Sequence, residues 1–176
     1  MVDLVAKSPC DGLLPPEIAG LRLVEPAPQR LTSIAPLHGQ EKAVAEALGV
    51  TLPAPGQSAQ AGGVELVWFG MGTYLALGEI TTDLSGKAAL TDQSDAWTVV
   101  ELTGPRAEEV MVRLAPVDFR LSQFAVGATA RTEIAHMMGS ITRLAQDRFR
   151  VMVFRSMAKT LVHDFTLAME AVGARG

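Results

Sequence analysis

The sequence predicts an α+β fold in which antiparallel sheets are covered by helices. Three observations carry that expectation. Short β-rich segments come in groups, interrupted by only a few helical stretches, so no regular strand–helix alternation of a parallel sheet is present. A Gly-Pro pair at Gly104-Pro105 stands between a strand-like run and an amphipathic one. A late segment, Phe149–Arg155, is apolar on both of its faces, which suits a strand in the middle of a sheet.

In chain order, residues 1–20 hold Pro9, Gly12, Pro15 and Pro16 and read as an irregular arm. Pro15-Pro16 suits neither a helix interior nor a central strand, because proline lacks the amide donor both require. Residues 21–176 read as one α+β domain, divisible into two packed halves at about 21–90 and 91–176. Leu21–Val24 and Arg30–Ala35 are short strands broken by Pro26 and Pro28. Leu37–Leu48 is a helix with Val44, Ala47 and Leu48 on its apolar stripe, stopped by Gly49. Thr51–Gly63 is rich in proline and glycine and reads as a loop. Val64–Phe69 and Thr73–Gly78 form a hairpin around Gly70-Met71-Gly72.

Lys87–Leu90 is a further short strand, and Trp97–Thr103 a stronger one, with Thr98, Val100 and Leu102 on one face and Trp97, Val99 and Glu101 on the other. After Gly104-Pro105, Ala107, Val110, Met111 and Leu114 make a buried helical stripe that ends at Pro116. Glu108 and Glu109 near its start and Arg113 near its end suit the helix dipole. Ala128–Ala135, Ser140–Gln146 and Phe149–Arg155 are strands, the last two joined by a turn at Asp147-Arg148. Ser156 is placed to cap a final helix with Leu161, Phe165, Ala168 and Val172 on its core face, ending at Gly173.

Composition excludes several classes of function. The chain carries 15 Lys and Arg against 19 Asp and Glu, a net charge of −4, so it has no basic excess with which to neutralise nucleic-acid phosphates. Cys10 is the single cysteine and permits no intrachain disulfide. No apolar run reaches the ~18 residues a membrane helix needs, and the first residues carry acids and prolines in place of a signal sequence. A cytoplasmic protein is expected.

Recognisable catalytic constellations are absent. His38, His136 and His163 have no zinc-ligand spacing and read as surface or structural histidines. Gly70-Met71-Gly72 precedes a strand where a dinucleotide fingerprint would precede a helix. Neither a Walker loop nor a Gly-x-Ser-x-Gly elbow occurs. Asp92 and Asp95 fall in a turn, where solvated or backbone-bonded carboxylates are expected, and Asp118, which follows Pro116-Val117, is expected to bond local backbone amides. Trp68 and Trp97 are expected in the core or at an interface. No catalytic, cofactor-binding or metal-binding residue is assigned.

A set of ordered segments nevertheless resembles one family. These are Arg30–Leu37, Gly39-Gln40-Glu41, Leu48–Pro53, Val67–Gly70, Thr91–Asp95, Glu101–Ala107, Ala115–Asp118, Ala135–Met137 and Phe154–Ser156. Together they resemble the gamma subunits of heterotetrameric sarcosine oxidases, over roughly residues 20–172. The resemblance implies a fold like part of the folate-binding aminomethyltransferases. It also implies a tetramer with alpha, beta and delta subunits that demethylates sarcosine to glycine and passes the one-carbon unit to tetrahydrofolate. FAD, FMN and NAD would sit on the larger subunits. Aminomethyltransferases carry a Gly-Gly-hydrophobic-hydrophobic-Asp-Asp segment whose acid works with folate. If Met138–Arg143 is its counterpart, Thr142 and Arg143 stand where the acids would be, and neither supplies a carboxylate. The resemblance thus implies a non-catalytic subunit, with Trp97, Arg106, Arg143 and Arg155 as candidate interface residues and a homodimer as the state open to the isolated chain. The alternative is an independent folate-binding protein of one-carbon metabolism that lacks the transferase acid.

Overall fold

A computed structural model describes residues 5–175. The chain builds two five-stranded antiparallel sheets and three helices. The first sheet has the order β1 (Arg22–Val24), β7 (Trp97–Thr103), β10 (Arg148–Phe154), β9 (Met137–Ala145), β8 (Thr129–Ile134). The second runs β3 (Ser58–Ala61), β4 (Val64–Gly70), β5 (Thr73–Leu77), β2 (Leu31–Pro36), β6 (Ala88–Asp92). Helices α2 (Ala107–Leu114) and α3 (Ala158–Gly173) cover the outer face of the first sheet. Helix α1 (Glu41–Leu48) covers the outer face of the second.

Each layer follows from side-chain alternation. Val100 and Leu102 of β7, Ile141 of β9 and Phe149, Val151 and Val153 of β10 point toward α2 and α3. There they meet Val110, Met111, Leu161, Phe165 and Met169 in the largest core. Ile34, Leu66 and Ala76 turn outward from the second sheet onto Val44 of α1. The opposite faces of the two sheets meet through Leu31, Val67, Leu75 and Leu77 against Trp97 and Met152. Strand β10 occupies the middle of its sheet, where its double-faced apolar pattern places it, and every residue from Phe149 to Val153 is buried.

Several boundaries differ from the sequence expectation. Ser58–Ala61 is a strand, because its partner β4 offers it a full antiparallel ladder inside a segment that composition marks as a loop. Helix α1 starts at Glu41, since Gly39 takes a left-handed conformation that a helix cannot contain. Pro105 lies in the turn before α2 and Arg106 takes the cap position, so the proline precedes the helix without opening it. Strand β9 begins three residues early at Met137, and the β8–β9 turn is Ala135-His136, with Ala135 at a φ of 51°. Ser156 does not cap α3. It lies in a short 3-10 turn, Arg155–Met157, and the cap position falls to Met157 with no side-chain hydrogen bond.

Strand β1 joins the sheet formed by the later part of the chain, pairing with Glu101–Thr103 of β7. The arm before it is irregular yet packed from Cys10 onward. Cys10 is buried, its amide donates to the Glu25 carboxylate, and Leu13, Leu14 and Ile18 lie against the helix-side core. Gly104 fixes the arm's exit. At a φ of 137° it passes so close to Gly20 that a Cβ there would collide with the Gly20 carbonyl. The arm's first four residues lie outside the described residues.

Candidate functional site

Strand β1 spans only three residues and leaves the Trp97–Val100 half of β7 without a neighbour on that side. Residues 6–9 of the arm and Glu25–Gln29 arch over the gap and enclose a cavity of about 610 Å³. Its lining mixes Leu31, Trp97, Val99 and Pro26 with the polar Ser94, Asp95, Glu25 and Arg155. A volume of that size falls within the range of small-molecule sites. Arg155 ties the roof down by donating from Nη2 to the Lys7 carbonyl at 2.7 Å, and its Nη1 lies 4.0 Å from Asp95.

The face of the first sheet that meets the second sheet is graded in polarity. Cross-strand register puts Thr129, Thr142, Arg150 and Glu101 in one row. Arg131, Ser140, Met152 and Val99 make the next row, and Glu133, Met138, Phe154 and Trp97 the third. In the first row Arg150 makes two 2.7 Å hydrogen bonds to the Glu65 carboxylate of the opposite sheet, with both side chains nearly buried. The Thr129 hydroxyl donates to the Ile141 carbonyl at 2.9 Å and is hydrogen-bonded to the Thr142 hydroxyl 3.1 Å away. In the middle row the Arg131 guanidinium lies 4.2 Å from the ring centre of Phe69 and 5.3 Å from that of Trp97. In the third row Trp97 is buried, while Met138 is 56% exposed and Phe154 51%. Phe154 stacks on Trp97 with ring centres 4.9 Å apart, and Phe69 meets Trp97 edge-on at 5.1 Å.

Segment Met138–Arg143 lies wholly on β9. Gly139 is required by packing, since a Cβ there would come within 2.5 Å of the Met152 carbonyl oxygen and closer still to Ile134. Thr142 is bonded to Thr129. Arg143 turns to the other face, where it donates to Glu108 at 2.7 Å and to the Phe119 carbonyl and lies over the Phe149 ring. Thr142 and Arg143 are thus engaged within the chain, and no side chain of the segment is an acid able to serve the amine of a bound folate.

The four candidate interface residues are not brought together. Arg143 is fully buried, which corrects its expected place at an interface: its partner carboxylate is Glu108 of the same chain. Trp97 is only 6% exposed and acts as the hub of the aromatic cluster, not as a free contact. Arg106 forms a two-pronged ion pair with Glu109 on the exposed side of α2. Arg155 holds the arm. Asp92 and Asp118 accept from the backbone amides of Ser94 and Arg120, as turn aspartates do; the Ser94 amide holds the Asp92 carboxyl below its usual range, and the Arg120 guanidinium first and its amide second do so for Asp118. Arg131 and Phe154 escaped the sequence reading. Their one signal is alternation, which sets Arg131 in register with Ser140, and Phe154 with Trp97, on the inter-sheet face.

No group of three or more metal-ligating side chains occurs among the described residues. No helix among them is long and apolar enough to cross a membrane. No family model matches the sequence, and no curated protein matches it. Among solved structures, the chain is similar to one from heterotetrameric sarcosine oxidase of Corynebacterium sp. U-96, in complex with pyrrole 2-carboxylate. That match has 23% identity and a TM-score of 0.83, covering 96% of each chain. It is also similar to glycine cleavage system aminomethyltransferase T from Bartonella henselae. There the identity is 14% and the TM-score 0.63, covering 87% of this chain and only 50% of the transferase. These likenesses establish the fold: two antiparallel sheets and three helices in the aminomethyltransferase-like arrangement seen in a sarcosine oxidase chain.

Proposed function

We propose that this chain is the gamma-type, non-catalytic subunit of a heterotetrameric sarcosine oxidase, assembling with alpha, beta and delta subunits in the cytoplasm. One observation carries the reading: the likeness to a chain of such an oxidase runs the full length of both partners, whereas the transferase is matched over half its length. The bonded, acid-free Met138–Arg143 segment supports the same view. In this reading FAD, FMN, NAD and the tetrahydrofolate site belong to the larger subunits, and oxidative demethylation of sarcosine takes place there.

Co-expression with the flavin-bearing subunits tests the reading. A stoichiometric complex on size-exclusion chromatography that oxidises sarcosine is expected. Elution of this chain apart from an otherwise active complex overturns it. The 610 Å³ cavity favours a second reading, an independent folate-binding protein. Micromolar folate binding by the isolated chain, checked by calorimetry, would mark that alternative.

A further inference from the structure

Four arginines arise from adjacent strands of the first sheet, and three of them have a carboxylate. Arg150 pairs with Glu65, Arg143 with Glu108 and Arg148 with Glu101. Arg131 has none. It is half-buried on the rings of Phe69 and Trp97, and its Nη1 is fully buried without a hydrogen-bond acceptor. Burial depresses its affinity for a proton below the usual arginine range, the mark of a desolvated cation with no counter-charge. The nearest acid along its own strand face, Glu133, lies instead 3.9 Å from His136. The neighbouring Trp97 Nε1 and Ser140 Oγ are also buried donors without partners. The Arg131 guanidinium and the Trp97 indole can only donate, and the Ser140 hydroxyl can donate beside them. Immediately beyond it, in the next row of the same sheet face, stand the exposed Met138 and Phe154.

We propose that Arg131, with Phe154 and Met138, is the docking point of this chain on its partner subunit, which contributes a carboxylate set among apolar side chains. The inference rests on the assembly reading above and specifies where that assembly is made. Charge complementarity selects the occupant: three sister arginines are each matched by an acid, and the fourth lacks only that. Arg131 lines neither the 610 Å³ cavity nor the smaller groove beside α2, so the cluster is separate from both. An arginine on an aromatic platform flanked by methionine and phenylalanine has the composition of an interface centre, where guanidinium and aromatic side chains dominate the binding energy.

The test uses the co-expressed complex and three variants, Arg131→Met, Phe154→Ala and Met138→Glu, each assayed for affinity to the remaining subunits and for thermal midpoint as an isolated chain. Arg131→Met keeps the packing on Phe69 and Trp97 and removes the charge. It is expected to weaken assembly by about 30-fold or more, as loss of a buried interfacial ion does, with the midpoint unchanged or raised. Met138→Glu, at an exposed position, is expected to weaken assembly by at least about 10-fold even if Arg131→Met folds poorly. Undiminished affinity of Met138→Glu and Phe154→Ala in a complex that forms normally overturns the docking site and leaves the assembly reading intact. Failure of the unmodified chain to assemble overturns both. If the variants dissolve a homodimer of the isolated chain but leave the complex untouched, the patch serves a second copy and the proposal falls.

Discussion

The two faces of the first sheet differ in how completely they are closed. The face under α2 and α3 is apolar, holds Phe149, Ile141 and Val151 against Phe165 and Leu161, and admits a single arginine whose carboxylate is at hand. The face toward the second sheet carries arginines, threonines and glutamates in its interior, and its last row runs into solvent as Met138 and Phe154. A fold needs one sealed core to be stable, and the helix face supplies it. The other face is held by specific pairing, and that makes it suited to recognition, because a buried polar group must find its partner or destabilise the state that buries it.

The comparison breaks most sharply at the Glu65–Arg150 pair. Replacing Glu65 by Leu leaves the Arg150 charge stranded between the sheets, where its side chain is 5% exposed. A loss of about 3–5 kcal/mol in unfolding free energy is expected by denaturant titration. The double variant Glu65→Leu with Arg150→Met should recover most of that, because both the charge and the need for it disappear. If the double variant stays as unstable as the single one, the pair acts through shape and the two faces are less different than they look.

A smaller change tests the sealed face. Ile141 is wholly buried on β9 between the sheet and the helices. Ile141→Val removes one methylene-sized volume and should cost about 0.5–1.5 kcal/mol, with no effect on assembly. An effect on assembly without a loss of stability would show that the helix face, too, meets a partner.

The same contrast explains what could be read in the sequence. The helix-covered face was legible because one principle, burial of apolar side chains, writes a periodic signal. Val110, Met111 and Leu114 at helical spacing and Phe149, Val151 and Val153 at strand spacing point to it directly. The inter-sheet face was not, because its order depends on register between distant strands. Nothing local in Thr129–Ile134 marks Arg131 as unpaired, or in Val64–Gly70 shows that Glu65 answers an arginine 85 residues away. Trp97 reads in the sequence as a core or interface aromatic, and which of the chain's own sheets it packs against is set by register, not by local pattern. Strand β3 hid among prolines and glycines because an edge strand is fixed by its neighbour's ladder more than by its own composition. Arg143 reads in the sequence as an interface candidate because Glu108, which neutralises it, is supplied by another element.

The smallest expected effect joins the arm to the sealed core. Cys10 belongs to the helix-side cluster, and its thiol is pushed up to about 12 from an ordinary 9.0, first by burial and then by the Glu25 carboxylate beside it. The folded state therefore holds the neutral thiol more firmly than the unfolded chain does. That contribution is fully present below pH 9 and fades as the pH rises toward 12, since the unfolded chain ionises first. Unfolding free energy should fall over that window more steeply in the unmodified protein than in Cys10→Ala, measured side by side. Alkylation of Cys10 at pH 8 should be slow in the intact chain and accelerate when Arg155→Ala releases the Lys7 carbonyl, because Arg155 anchors the arm on which Cys10 sits. Equal alkylation rates in the two would mean that the core contacts of Leu13, Leu14 and Ile18 hold the arm without the Arg155 tie. The roof of the cavity could then lift while the sealed face stayed closed.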